Sequence, residues 1–297
     1  MTEIAGSGRG QTVRAGEPVD PRWADEFDHV LEPTRGVPSL RLGELWQYRE
    51  LLYFLAWRDI TVRYKQTVLG VAWAVLQPVL AMILFTFVFA HVAKISSGGV
   101  PYELFSYAAL VPWFFFATAV QLASTSLTVN PQLITKVYFP RIFLVTAPVV
   151  AGLVDFGLAF VVLIGLMAYY GVVPALGAFA LVGFMLLAVV TTIGVGAWLA
   201  ALNVRYRDVR FVVPFLLQLW LFATPVVYST ASLGEPWRTV YGINPMAGVV
   251  EGFRWALAGS PAPSASTLLL SIFSGLLVFV LGLHYFRRTE KHFADVI

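Results

Sequence analysis

Residues 130–144 read NPQLITKVYFPRIFL. This segment holds Lys136, Arg141, two prolines and the bulky pair Tyr138 and Phe139. It is too short and too charged to cross a bilayer, yet too apolar for an idle solvent loop. On either side lie long apolar runs, near 104–128 with no charged residue and near 142–170 with Asp155 alone. Each run exceeds the roughly 20 helical residues that span about 30 Å of hydrocarbon. Two spans joined by a basic, proline-broken turn form a helical hairpin in a membrane, and that reading decides the fold: an all-α integral membrane protein.

Working outward, the composition agrees. Of 297 residues, 58% are hydrophobic and 12% charged, whereas about a quarter of the residues in a soluble domain are charged. The chain has no cysteine, which excludes disulfides, thiol chemistry and cysteine metal sites. Further apolar stretches lie near 68–93, 175–202, 211–229 and 265–286, so six transmembrane helices are expected. Residues 1–43 are polar and contain no signal-peptide core, which reads as a disordered cytoplasmic tail. Residues 44–65 read as an interface helix, 66–288 as the six-span domain and 289–297 as a cytoplasmic C-terminus. With the N-terminus inside, 17 of the 20 lysines and arginines fall on the cytoplasmic side, leaving Lys94, Arg238 and Arg254 outside. That asymmetry sets both termini in the cytoplasm.

Three stretches then occur in order: WRDITVRYKQTVLGVAWAVLQP at 57–78, VPWFFF at 111–116 and LITKVYFPR at 133–141. Together they resemble the permease subunit of ABC exporters for lipid-linked polysaccharides, the O-antigen, capsule and teichoic acid exporters. The resemblance runs over about residues 44–290. It implies a homodimer of six-span subunits in the cell inner membrane and a lipid-linked polysaccharide as cargo, carried on a polyprenyl diphosphate. It also implies a separate ATP-binding cassette subunit docked on each cytoplasmic face. The residues themselves agree that energy arrives by contact, because no GxxxxGK[ST] phosphate loop is present. No cofactor is expected on this chain, with ATP and Mg on the partner subunit. No metal site and no nucleic acid partner are expected either.

The family places a short coupling helix in the first cytoplasmic loop. On that reading Leu133, Val137 and Phe139 fill an apolar groove of the ATPase, and Lys136 and Arg141 pair with its acids. The plainer alternative is a headgroup anchor. Arg205, Arg207 and Arg210 form a second candidate contact, and three arginines after a span are also an ordinary topology determinant. In the interface helix, which the resemblance bends into the first span near Gln66 to Gly70, Arg58, Arg63 and Lys65 are candidates for an anionic lipid diphosphate. Snorkelling at the bilayer edge is the alternative for each.

Asp155 is the one acid deep in an expected span, a site candidate by depth and more often a paired structural acid. Trp113 and Phe116 are the channel-lining candidates in the aromatic run 113–116, against core packing or an interfacial belt. Between the last two spans, the apolar run Pro245 to Ala258 is too short to cross and reads as short re-entrant helices covering the external mouth. There Glu251 and Arg254, three apart on a helix, are positioned to pair. A membrane-embedded glycolipid enzyme would need clustered acids or histidines, and the four histidines are scattered. A secondary transporter would need internal repeats and midplane coupling ions.

Overall fold

The structure is a computed structural model describing residues 46, 48–65, 70–136, 139–174, 176–230, 233–234 and 236–293. The expected tail, the bend at 66–69 and Val137 fall outside the described residues. Among those described, every regular element is helical.

Helix α1 (Arg49–Tyr64) precedes α2 (Ala72–Phe85), which a π-helical stretch, Thr86–Val92, prolongs into one 21-residue apolar rod. Next come α3 (Tyr102–Val129), the short α4 (Pro131–Lys136) and α5 (Ile142–Tyr169). A 3-10 turn, Leu176–Ala180, leads into α6 (Leu181–Arg205), followed by α7 (Val209–Ala223). Beyond lie α8 (Trp237–Val240), the 3-10 turn Tyr241–Ile243, α9 (Pro245–Phe253) with a π-helical end at Arg254–Ala258, and α10 (Ala265–Glu290). In hydrocarbon only a helix satisfies its own backbone, so each uninterrupted apolar run becomes one rod. Local chemistry fixes several ends. Pro131 opens α4, where its missing N–H costs nothing. The Asn244 side chain accepts from Met246 N at the start of α9, and Ser264 Oγ accepts from Thr267 N at the start of α10.

Among the described residues, five helices are long and apolar enough to cross a membrane. The expected span at 211–229 is helical over only part of its length: α7 has 15 residues and ends at Ala223. Proline at 225 disfavours the helical conformation in the residue before it, and Thr224 is accordingly extended, with ψ 139°. The chain continues to Tyr228 without helix. Trp220 meets Phe116, and the Tyr102 hydroxyl, at the start of α3, donates to Val227 O at 2.8 Å. A short helix and a non-helical stretch together therefore carry the chain to that end of the bundle.

Helix α3 is the centre, packed against α2, α5, α6, α7 and α9. Helices α6 and α10 touch backbone to backbone. A Cβ on Gly282 would lie 2.1 Å from Gly194 O, so no larger residue fits that crossing. At one end of the bundle Leu55, Leu127, Ile134, Phe139, Phe143, Val204 and Phe286 share a core. That core gathers α1, α4 and the adjoining ends of α3, α5, α6 and α10, the segments expected in the cytoplasm. Asn203 closes it by donating to Ser124 O at 2.9 Å.

Candidate functional site

At this end α4 stands out from the bundle on a fixed base. Ile134 is buried, Leu133 half-buried, and Gln132, Thr135 and Lys136 are exposed. Phe139, expected to reach into a partner groove, is 7% exposed and packed in the chain's own core. Arg141 is also turned inward: its Nη1 donates to Glu290 O at 2.5 Å, and its backbone N to Glu290 Oε1 at 3.3 Å. These two residues hold the turn against α10, which leaves Lys136 as the outward cation of the segment. Arg205, Arg207 and Arg210 are exposed as well, Arg205 over the Tyr206 ring and Arg210 over Phe211.

The interface helix divides its charges. Arg58 bonds its neighbour Asp59 at 3.0 Å, and Lys65 is exposed at the helix end. Arg63 turns into the bundle, where its Nη1 pairs with Asp155 Oδ2 of α5, while the Tyr64 hydroxyl donates to Asp155 Oδ1. The deep acid thus has two partners, both from α1. Sequence alone placed Arg63 and Asp155 in separate roles, and their separation of 92 residues gave no signal that they meet.

The trio closes one end of a cavity of about 420 Å³. Its walls come from Gly70 to Pro78 at the start of α2, from Val111, Phe114, Phe115 and Thr118 of α3, and from Gly152, Phe156 and Ala159 of α5. Trp73 and Gln77 are exposed at the rim, so the cavity opens on the outer surface of the chain.

At the opposite end Arg254 is 2% exposed and lies over the Phe105 ring, 3.6 Å from its centroid. Its Nε donates to Phe105 O at 3.0 Å. Nη1 donates to Pro225 O at 2.5 Å and Tyr228 O at 2.9 Å, and Nη2 to Val226 O. The carbonyls released where α7 breaks are the ones this guanidinium collects. The expected Glu251–Arg254 pair is corrected. Glu251 Oε1 instead accepts from the Thr230 N–H at 2.9 Å and from its hydroxyl, so both residues fasten the broken stretch to α9. A Thr-Pro pair ending an apolar run was the available signal that such carbonyls would need a donor.

The channel-lining expectation for Trp113 and Phe116 is also corrected. They are 3% and 0% exposed; their rings meet at a tilt, 5.5 Å apart, and Phe116 stands edge-on to Trp220 at 5.0 Å. They belong to the central helix, on a part that its neighbours cover. An exposed aromatic face lies instead on α7, where Phe211, Phe215 and Phe222 are exposed with Leu219.

Comparison with known proteins covers both ends of this arrangement. The chain is 30% identical to the O-antigen export system permease protein RfbA of Myxococcus xanthus over 256 residues, 86% of this chain and 98% of that protein. It is 27% identical to the protein of the same name from Klebsiella pneumoniae, over 84% of this chain and 95% of the relative. The polysialic acid transport protein KpsM of Escherichia coli is 21% identical over 79% of this chain and 91% of its own length. The ABC-2 type transporter family matches residues 50–258, from the first turn of α1 through the π-helical end of α9. The chain therefore belongs to the ABC-2 type transporter family.

Proposed function

We propose that this chain is the permease subunit of an ABC exporter that moves an O-antigen-like polysaccharide, linked to polyprenyl diphosphate, across the inner membrane from the cytoplasm. The observation that carries the reading is the extent of similarity to an O-antigen export permease, 86% of this chain and 98% of the relative. The family match over residues 50–258 takes in α1, four of the five long helices and the Arg254 knot, so far more than one hairpin is shared. The chain has no phosphate loop. ATP and its Mg accordingly belong to a separate cassette subunit, and the exposed cations Lys136, Arg205 and Arg207 supply its docking surface. Support for α4 as the coupling element is mechanical: a short helix backed by Ile134, Phe139 and Arg141 transmits a push instead of absorbing it.

Two copies form the conduit. The packed interior of α3 leaves no passage through one chain, and the apolar stripe of Phe211, Phe215, Leu219 and Phe222 on α7 supplies a wall facing a second copy. A capsule polymer is the second reading, favoured by the relative named for polysialic acid transport. The test is gene deletion with complementation, reading surface polysaccharide and lipid-linked polymer retained inside the cell. The reading expects loss of the first, accumulation of the second, and a cassette ATPase that co-purifies with the tagged chain. Unchanged surface polymer in the deletion strain overturns it.

A further inference from the structure

The cavity between α1, α2, α3 and α5 is lined unlike the rest of the bundle surface. Its long wall is apolar and aromatic, with Trp73, Phe114, Phe115 and Phe156. Its end is ionic, with Arg63 and Asp155. Val111 to Thr118 covers eight residues of α3, whose seven rises make about 10 Å of helix. An α-helix with side chains is about 10–12 Å across, so a 420 Å³ cleft admits an extended chain and excludes a packed helix from a second copy. It opens beside the first two turns of α2, where that helix begins its crossing. Nearby on α1, Tyr53, Phe54 and Trp57 are exposed, as interfacial aromatics are at headgroup level.

We propose that this cavity binds one bilayer phospholipid with a zwitterionic head of the phosphatidylethanolamine type, its acyl chain along the aromatic wall and its head on the Arg63–Asp155 pair. The polar end selects such a head. Arg63 uses only Nη1 on Asp155, so Nε and Nη2 remain to donate to a phosphate. Asp155 accepts one hydrogen bond on each oxygen, from Arg63 and Tyr64, and a carboxylate has lone pairs for more. The two side chains are 24% and 20% exposed, open enough to be reached and buried enough for their charges to matter. Together they are neutral, and Tyr64, Gln77 and Thr118 add no charge. An anionic head, whether a phosphatidylglycerol or a diphosphate, would gain Arg63 and meet the Asp155 carboxylate uncompensated. A primary ammonium beside a phosphate satisfies both sides. Choline carries the same charge and has no N–H to donate.

The site does not depend on which polymer the protein exports, and it is tested without transport. The full-length chain is purified in mild detergent, and retained lipid per chain is counted by mass spectrometry after titration with defined lipids. Phosphatidylethanolamine is expected at one tightly held molecule per chain, preferred about tenfold over phosphatidylglycerol and retained over phosphatidylcholine. Ala74→Phe, which fills the cavity from a half-buried position, should abolish retention without lowering the melting temperature of the lipid-free protein. Asp155→Asn should erase the preference for ethanolamine over choline while keeping some lipid. Equal retention of phosphatidylethanolamine and phosphatidylglycerol overturns the proposal, as does undiminished retention by Ala74→Phe. Displacement of the held lipid by a stoichiometric polyprenyl diphosphate also overturns it and assigns the cavity to the cargo.

Discussion

Two charged side chains are placed where a membrane protein has least tolerance for them, and each is neutralised differently. Asp155, midway along a 28-residue apolar helix, is met by a cation and a hydroxyl from α1. Asp155→Asn keeps the shape and removes the charge, leaving Arg63 facing an amide. An unsatisfied buried polar group costs about 1–3 kcal/mol, so the melting temperature in detergent should fall while export per assembled molecule stays near normal. A steep loss of export at normal abundance would make the acid part of the transport step. Arg254 is held by four carbonyls and the Phe105 ring. Lysine carries the same charge as a point with three donors and cannot reproduce that fork. Arg254→Lys should therefore lower the accumulated protein, and Arg254→Met should lower it further, by about 3 kcal/mol or more once several carbonyls lose their donor. Equal accumulation of the two variants would mean that the charge, not the geometry, is what the knot requires.

Among the elements, the five spans at 68–93, 104–128, 142–170, 175–202 and 265–286 were legible because a long apolar run in a bilayer has one low-energy form, and among the described residues the structure has a long helix at each. The end of α7 at Ala223 was not legible, for a specific reason. Hydropathy sums side chains and is blind to a Thr-Pro pair at which the helix breaks, and equally to the distant donor that satisfies the freed carbonyls: Arg254 lies 29 residues beyond Pro225. The burial of Trp113 and Phe116 was illegible too, since an aromatic run has the same appearance in a belt, a channel or a core. Nor does a glycine announce a close crossing: Gly194 and Gly282 are ordinary letters 88 positions apart, yet their backbones touch. Gly282→Ala forces a methyl group onto Gly194 O, and overpacking of this kind costs about 1–3 kcal/mol. The melting temperature should drop for Gly282→Ala and folded protein should disappear for Gly282→Val. Normal folding of both would show that α6 and α10 can separate freely, contrary to their packing.

For the molecule as a whole, one end of the bundle carries α4, the α6–α7 turn and the last turn of α10, and the other carries the Arg254 knot. The basic residues collect at the first end, which the positive-inside rule puts in the cytoplasm. Because the chain has no cysteine, a single introduced thiol reports its side of the membrane without background. Thr135, Asp208 and Gly234 are all exposed, so packing does not hide a thiol at any of them. With an impermeant maleimide on whole cells, Gly234→Cys should label, whereas Thr135→Cys and Asp208→Cys should label only after the membrane is opened. Labelling of Thr135→Cys from outside would reverse the orientation and, with it, the docking surface. Given the expected side, Lys136→Glu separates the two readings of α4. If the segment docks the ATPase, reversing its one outward cation should weaken co-purification, since truncating a paired interfacial charge costs about 2–5 kcal/mol. Membrane insertion should be unchanged, because Ile134, Phe139 and Arg141 still hold the turn. If the segment is only a headgroup anchor, the variant should lose membrane integration or nothing at all, and the ATPase should remain bound at wild-type stoichiometry.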